Sequence, residues 1–457
     1  MRGALVALVV VASACGRFGF DTRPPGDGGA DDGSDGGVPM ATCMTQVPTG
    51  TVIHVDATKG NDANNGSGAS PVQTITRGLA LAPQGATVLV EPGTYSAEPM
   101  NEIKFDGKDI KLVSAQRYRA SFPRIECFTC DGFLIEGFEI TGTTGVCAQA
   151  SFGVRVTLRD NVIHGCGSAA VRFAGNIAGS AIVGNVIYDA PNALVHVNDD
   201  STVDIVDNVL FDSTPQGAYP AIWMEGTINT VVARNVVFHS KHESAGYSTV
   251  SIGHAQNLLI ENNIVGIGEA ADNDGAVGLD DADGTATIRF NTFIGPFSGS
   301  PFALAKNAGT TAVSTLMVTH NIWYSPVTTA QQFSTASETG SDGFTLDRND
   351  YWNGGGGAFS ELSNRLGPAD DPRGVAVDPQ LAIGAGAPPA PPVWSTASHT
   401  FADGSTTTCD VRTKLIDALG RVPAASPIAG RAMIAGPSTD IRGKQWPMPA
   451  SLGAYEP

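Results

Sequence analysis

The chain contains little positive charge and few aromatic side chains for its length. Of its 457 residues, 7% are aromatic and 16% are charged, with 27 Lys and Arg against 45 Asp and Glu. The formal net charge of −18 repels nucleic acid and anionic membrane surfaces, so neither is expected as a partner. Unaided binding of acidic polysaccharides is disfavoured for the same reason, unless bound cations reverse the local charge.

Helical periodicity is also scarce. Apolar residues at i, i+3, i+4 and i+7 do not recur at regular intervals along the chain, which argues against a helical solenoid. Glycine, in contrast, is abundant at 55 residues, as a chain with many tight turns requires.

One phrase of nine residues recurs from VTLRDNVIH at 156–164 to FTLDRNDYW at 344–352. A fixed period of this length indicates a repeat architecture. The third residue of each copy is apolar, and β-branched residues between turn formers indicate short strands. GFLIEGFEI at 132–140 has the same shape, with Gly137 in the asparagine position. The sixth residue of the eight copies is always asparagine, at intervals of 23 to 30 residues: Asn161, Asn185, Asn208, Asn235, Asn263, Asn291, Asn321 and Asn349.

Strands wound at this period predict an all-β fold, a right-handed parallel β-helix (a solenoid) of about ten coils, in which each coil pairs with its neighbours. The asparagines are expected to stack at one corner, where their amides hydrogen-bond from coil to coil. We interpret this stack as structural. The ninth position of the phrase predicts a second structural stack, which is mainly aromatic: His164, Tyr188, Phe211, Phe238, Tyr324 and Trp352.

The N-terminus predicts export. An apolar run follows Arg2 and ends in small residues, as in a signal peptide. The Ala-Ser-Ala-Cys that ends at Cys15 resembles a bacterial lipoprotein signal, which implies lipidation of Cys15, a membrane anchor, and a place at the outer membrane or cell surface. The alternative is ordinary cleavage after Ala14. Residues 16–50, rich in Gly and Asp, predict a flexible acidic tether.

Residues 51–95 contain a strand, a Gly/Asn/Ser loop, a short helix around Ile75–Leu81 and a second strand. This order resembles the N-terminal segment of the pectate-lyase-like superfamily, in which a short helix caps the open end of the β-helix. Residues 51–384 are therefore expected to form the β-helix. A Pro/Ala-rich loop and a segment ending in LGAYEP, together 385–457, resemble the closing segment of such proteins. The protein is expected to be a monomer.

Six cysteines remain once Cys15 is assigned to the lipid, and disulfides are expected in an exported chain. Cys147 and Cys166 lie about one coil apart and are the favoured pair, although fifteen pairings are open. Cys127 and Cys130 could instead be half of a zinc site, but no matching pair follows at the usual spacing.

Candidate functional residues lie on the strand that precedes each phrase. Alternation places Arg172, His196, Trp223 and Ser251 on the outer face of successive coils. A tryptophan presents a flat apolar surface to a sugar ring, and polar neighbours can bind its hydroxyl or carboxylate groups. His196, Trp223, Ser251 and His254 are therefore the candidate substrate-binding residues. The other polar residues just after the strands are Asn198, Asp199, Asp200, Glu225, Asp280, Asp281, Asp283 and Lys306.

The resemblance implies two chemistries. Lyases of the superfamily use an Arg or Lys base and usually calcium, which makes Arg172 and Lys306, with Glu225, the candidate catalytic residues; Lys241 is another possible base. Inverting hydrolases use paired carboxylates. No catalytic motif of either group is intact. Candidate calcium ligands are Asp199, Asp200, Asp280 and Asp281, which carry the oxygen atoms that calcium prefers.

Two functions follow from this face. One is an enzyme, a lyase or hydrolase that acts on a polysaccharide at the cell envelope. The other is a non-catalytic surface scaffold that binds glycans or partner proteins. The sequence leaves the choice open, because a fold does not imply a function.

Overall fold

The computed structural model describes part of the chain in detail. The predicted signal peptide with Cys15 and nearly all of the tether at 16–50 lie outside the described residues. Among the described residues, no helix is long and apolar enough to cross a membrane. The described residues are 48, 50–95, 109–142, 144–213, 219–238, 248–266, 275–280, 283–297, 300–305, 313–333, 344–355, 357–361, 367–384, 388–432, 437, 439–447 and 449–457.

Three parallel sheets carry the fold, and successive strands of the chain pass from one sheet to the next. Sheet 1 contains Val52–Val55, Thr87–Val90, Ile110–Ser114, Phe133–Glu136, Thr157–Arg159, Ser180–Val183, Val203–Val206, Val231–Ala233, Gln256–Glu261, Asp283–Arg289, Val313–Thr319 and Phe344–Asp347. Sheet 2 contains Gly93–Thr94, Ala120–Phe122, Glu139–Thr141, Val162–His164, Val186–Ala190, Val209–Ser213, Val236–Phe238, Ile264–Gly266, Thr292–Ile294, Ile322–Ser325 and Asp350–Asn353. Sheet 3 contains Ile125–Phe128, Ala148–Ser151, Val171–Ala174, Val195–Ser201, Ile222–Thr227, Val250–Gly253, Val277–Asp280 and Phe302–Ala305.

This arrangement confirms the right-handed parallel β-helix. The repeat predicted about ten coils. Among the described residues, eight coils contribute a strand to all three sheets, and the coils at both ends have described strands in sheets 1 and 2 but none in sheet 3. Two short pairs complete the strands, Gln332–Phe333 with Ser360–Glu361 and Trp394–Ser395 with Thr400–Phe401.

The asparagine stack is confirmed as structural. All eight asparagines are buried at the corner between sheets 1 and 2. The Oδ1 atom of each accepts the backbone N–H of the residue one coil earlier, as Asn185 does from Asn161 at 2.9 Å. At one end Asn161 accepts from the N–H of Phe138 at 3.0 Å. At the other end the stack finishes on a carboxylate, because Asp371 accepts from both the N–H and the side-chain amide of Asn349.

The assignment of Gly137 to the asparagine position is wrong by one residue. Glu136 pairs with Arg159 and Glu139 with Val162, so Phe138 aligns with Asn161 and Gly137 with Asp160. Both Gly137 and Asp160 have positive φ, at 79° and 52°. The glycine therefore repeats the turn that precedes each asparagine and does not replace the amide.

The predicted capping helix is confirmed as α1, Ile75–Leu81. The hydroxyl of Thr74 accepts the N–H of Arg77 and caps its first turn. Ile75 and Leu79 pack on the core inside the coils, so α1 covers the apolar interior at the N-terminal end.

The C-terminal segment covers one side of the β-helix. It packs across the outer face of sheet 2, where Trp394, Ile416 and Trp446 join one apolar cluster with residues of that sheet. A second helix, α2 at Thr408–Leu419, and a 3-10 helix at Pro368–Asp370 also occur. The helix α2 was missed because only Val411, Leu415, Ile416 and Leu419 repeat with helical spacing, over three turns.

A buried ion cluster fixes this segment to the β-helix. Arg412 on α2 lies 2.9 Å from Asp207, which also binds Arg234 at 3.0 Å. Arg412 further donates to the carbonyls of Arg234 and Ile441. Removing one partner of a buried ion pair is costly, so the segment is an integral part of the fold.

The predicted aromatic stack lies beneath this segment. His164, Tyr188 and Phe211 stack with ring centroids 4.8 and 4.7 Å apart, and Phe238 continues the stack. The hydroxyl of Tyr188 accepts the N–H of Trp394 at 3.0 Å. The structural interpretation of these rings is confirmed.

The favoured disulfide is also confirmed, since Cys147 and Cys166 are bonded with an S–S distance of 2.08 Å. Cys127 and Cys130 are bonded to each other, which leaves neither as a zinc ligand.

Candidate functional site

The outer face of sheet 3 brings the sequence-predicted residues into one column. Strand pairing puts Arg172 beside His196, His196 beside Trp223, and Trp223 beside Ser251. Neighbouring strands of a sheet lie ~4.8 Å apart, so these four side chains follow one another along the axis of the β-helix. Their intervening neighbours, such as Val195 and Val197, are buried in the core.

His196 and Trp223 form the centre of this column. Their rings stack with centroids 4.3 Å apart and planes at 5°. The ring of Tyr219 lies 5.1 Å from the indole. The next two positions of the column are small, Ser251 and Gly278, so the column changes there from large aromatic rings to small residues.

The imidazole of His196 is neutral at physiological pH. Burial, followed by the nearby positive charge of Arg172, lowers the pKa of His196 to about 4. Its Nε2 atom lies 4.0 Å from Oε2 of Glu225, which is beyond hydrogen-bonding distance. That nitrogen is buried and has no hydrogen-bond partner among the described residues, so one polar atom of the ring remains unsatisfied by the protein.

Arg172 also has a polar atom that the described part of the protein leaves without a hydrogen bond. Its Nε atom is buried and has no hydrogen-bond partner within the described part of the chain. The side chain is half-buried, and Gln149 precedes it in the column. A guanidinium held in this way can donate to a carboxylate or hydroxyl oxygen of a ligand.

A row of turns borders the column where the strands of sheet 3 end. In six successive coils the residue after the last outward position has positive φ: Thr129, Phe152, Gly175, Asp199, Gly226 and His254. Asp199 and Asp200 form a bulge between Asn198 and Ser201, and both are exposed. Asp199 accepts the N–H of Gly175 at 3.2 Å. Glu225 and His254 are exposed along the same border.

The predicted calcium site stays a prediction. Among the described residues, no group of three or more His, Cys, Asp or Glu side chains is arranged to hold a metal ion. The backbone of Asp280 pairs with Gly253 and continues the column of Glu225, but its side chain lies outside the described atoms. Asp281, Lys306 and Lys241 lie outside the described residues altogether.

Sequence reasoning missed the N-terminal end of this face. Glu126 and Gln149 extend the column of Arg172, and Phe128 and Phe152 lie at its border. The face predicted from the sequence begins with Arg172, in AVRFAGN at 170–176. Alignment of CAQASFG at 147–153 with that copy would have placed Phe152 in the position of Gly175.

Comparisons with known proteins agree with the architecture. Residues 123–315 match a family described as right handed beta helix region, and residues 58–106 match a protein family of unknown function, DUF1565. The match to residues 123–315 agrees with the right-handed parallel β-helix fold that the strand pairing shows. No curated protein matches the sequence.

Several solved structures are similar at low sequence identity. Pectate lyase Pel9A is 14% identical with a TM-score of 0.47, over 90% of this chain and 97% of that chain. The GH136 lacto-N-biosidase from Eubacterium ramulus is 12% identical with a TM-score of 0.47, over 71% of this chain and 67% of that chain. The alginate lyase from Paenibacillus sp. str. FPU-7 is 15% identical with a TM-score of 0.45, over 64% and 96%. At these identities and TM-scores, the role of a residue in those proteins cannot be assigned to any residue of this chain.

Proposed function

We propose that the outer face of sheet 3 binds polysaccharide, with His196 and Trp223 at the centre of the site. The observation that carries this proposal is the stacked pair of rings in register with Arg172. The Nε of Arg172 and the Nε2 of His196 are both buried and have no hydrogen-bond partner among the described residues. Flat aromatic surfaces with a few convergent polar groups are typical of carbohydrate-binding sites. The sheet holds these side chains in a row, as a linear polymer requires.

The polar groups indicate how a sugar would be held. Arg172 can donate to a carboxylate or to a hydroxyl, and Glu225, which is exposed, can accept from hydroxyl groups. Ser251 supplies a small hydroxyl next to the indole. Calcium held by Asp199, Asp200, Asp280 and Asp281 would offset the acidity of the chain and admit an acidic glycan.

Cleavage of the bound glycan is a second candidate. It is favoured by the pairing of a neutral imidazole with the nearby carboxylate of Glu225, because such a pair can accept and return a proton. Arg172 or Lys306 would be the base of a lyase, and Glu225 the acid of a hydrolase.

The full chain, purified in detergent, should be tested against a panel of acidic and neutral polysaccharides, with and without calcium. Wild type should bind at least one polymer, and Trp223→Ala should weaken that binding about tenfold or more. Met317→Ala is the matched control, since Met317 is an exposed apolar residue on sheet 1. Unchanged binding by Trp223→Ala would remove the proposed site.

The same samples distinguish binding from cleavage. New unsaturated ends, detected by ultraviolet absorbance, indicate a lyase, and reducing ends without them indicate a hydrolase. Binding without either product indicates the non-catalytic scaffold.

We further propose that Cys15 anchors the protein to the cell envelope through a lipid. The support is the sequence around Cys15, followed by an acidic tether. Cells that express the full chain should incorporate labelled fatty acid into it, and Cys15→Ser should abolish the label whereas Cys43→Ser should keep it. Label retained in Cys15→Ser would contradict the anchor.

A further inference from the structure

An exposed aromatic residue lies at the N-terminal end of the sheet 3 face. Phe152 follows the strand Ala148–Ser151 and is 55% exposed. Its ring meets that of Phe128, from the preceding coil, edge to face at 5.2 Å. Phe128 belongs to the strand Ile125–Phe128, so the two rings stand beside the column of Gln149 and Arg172.

The backbone conformation of Phe152 is unfavourable, and burial of its side chain does not compensate for this. Its φ of 55° is a conformation that bulky L-residues rarely adopt. Tyr118 and Phe290 share this conformation, at 56° and 54°, but both are buried in apolar clusters whose packing compensates the strain. Phe152 gains much less from packing, since more than half of it remains in water.

The neighbouring coil is shaped to hold the ring. A Cβ atom added to Gly175 would lie 2.7 Å from Cε1 of Phe152 and 2.8 Å from its Cδ1. Only glycine therefore leaves room for the ring to rest on the next turn. Phe128 on one side and Gly175 on the other fix the position of Phe152, as a preorganised binding surface needs.

We propose that Phe152, supported by Phe128 and seated on Gly175, is a second sugar platform, so that the sheet 3 face selects extended glycan chains over short ones. This inference rests on the proposed function of the same face. The turn of Phe152 and the strand of Trp223 are three coils apart, which corresponds to ~14 Å along the axis. A disaccharide is too short to contact both platforms, whereas a chain of four or more sugars reaches from one to the other past Arg172.

The occupant follows from what lies between the platforms. The positions between the platforms are small or polar: Ala174 and Asn198 at the ends of the strands, and Gly175 and Asp199 in the turns. An apolar partner would leave Arg172 and Asn198 without hydrogen bonds, at the usual cost of buried unsatisfied groups. A glycan offers apolar ring faces to the phenyl and indole groups and hydroxyl groups to the residues between them.

The test measures affinity as a function of chain length. Ladders of oligogalacturonides, oligomannuronates and xylo-oligosaccharides, from dimer to octamer, are titrated into the full chain in detergent by calorimetry. Wild type should gain affinity between the trimer and the pentamer. Phe152→Gly should lower affinity for the octamer about threefold to tenfold and leave the dimer unchanged. Phe152→Tyr should retain the gain.

The choice of glycine keeps the fold intact, because glycine adopts this φ without strain. Val327→Ala, at an exposed apolar residue about seven coils from Phe152, is the matched control and should change nothing. Equal effects of Phe152→Gly on dimer and octamer, or no effect on either, would overturn the second platform while the proposed function stands. Failure of wild type to bind any of the three ladders would overturn both.

Discussion

A histidine stacks on a larger ring on two faces of this molecule, and the two pairs differ in what surrounds them. On sheet 2, His164 lies on Tyr188, and its two ring nitrogens face Thr141 at 3.2 Å and Glu139 at 3.1 Å. On sheet 3, His196 lies on Trp223, and its buried Nε2 has no hydrogen-bond partner in the described residues.

The arginines repeat this difference. Arg412 lies in the C-terminal segment that covers sheet 2, and it binds one carboxylate and two carbonyls. Arg172 on sheet 3 has a buried Nε with no hydrogen-bond partner in the described part of the chain. Stacked rings alone therefore do not distinguish a structural column from a binding face. For these two histidines and two arginines, the difference lies in whether the described residues satisfy the polar atoms of the side chain. Buried unsatisfied atoms also occur under the C-terminal segment, at Trp394 and Trp446, so the difference identifies a binding face only together with the exposure of that face.

The largest effect is expected when one ring of each stack is truncated. Phe211→Ala should lower the free energy of unfolding by about 3 to 5 kcal/mol, because it leaves a cavity under the C-terminal segment. Trp223→Ala should cost less, about 1 to 2 kcal/mol, since Trp223 is only partly buried. Urea unfolding measures both. Equal losses at the two positions would mean that the sheet 3 stack is structural as well.

The second test compares the two arginines. Arg412→Ala should lower the free energy of unfolding by about 3 kcal/mol. It removes a positive charge beside the buried Asp207 and leaves the carbonyl of Ile441 without the donor that Arg412 supplies. Arg172→Ala should cost less than about 1 kcal/mol but weaken glycan binding. Lys414→Ala on the exposed side of α2 is the control. A stable Arg412→Ala protein would show that the cover is dispensable.

The sequence predicted the coils well because each position of the repeated phrase has one physical role. The asparagine and the apolar third residue recur at fixed spacing, so the corner and the core follow without knowledge of distant contacts. The register of Arg172, His196, Trp223 and Ser251 on sheet 3 followed from the same alternation. Gly137 was misplaced because a glycine can repeat the turn without repeating the amide.

The cover over sheet 2 could not be predicted in this way. It depends on contacts such as Arg412 with Asp207 and Thr408 with Asp160, which are remote in sequence and occur once. Phe152 was missed for another reason, since its exposure and its seat on Gly175 become visible only when three coils are superimposed. Contacts that do not repeat from coil to coil cannot be predicted from the sequence repeat.

The smallest expected effect is the pH dependence of stability that His196 causes. The folded pKa of His196, about 4, lies below its ordinary value of 6.5. Between these values the unfolded chain binds more protons than the folded one, so stability falls as the pH is lowered through this window and is fully present above it. His196→Gln should flatten this part of the stability profile measured by urea unfolding.

The buried His320, with a folded pKa also near 4, produces a similar slope and must be kept in both proteins. Nuclear magnetic resonance of the ring protons gives the direct measurement, with a midpoint for His196 near 4. A bound glycan that accepts a hydrogen bond from His196 would favour the protonated ring and raise this midpoint. A midpoint of His196 at its ordinary value would show that the ring is solvated like any surface histidine, and the account of a buried, unsatisfied ring on sheet 3 would fail.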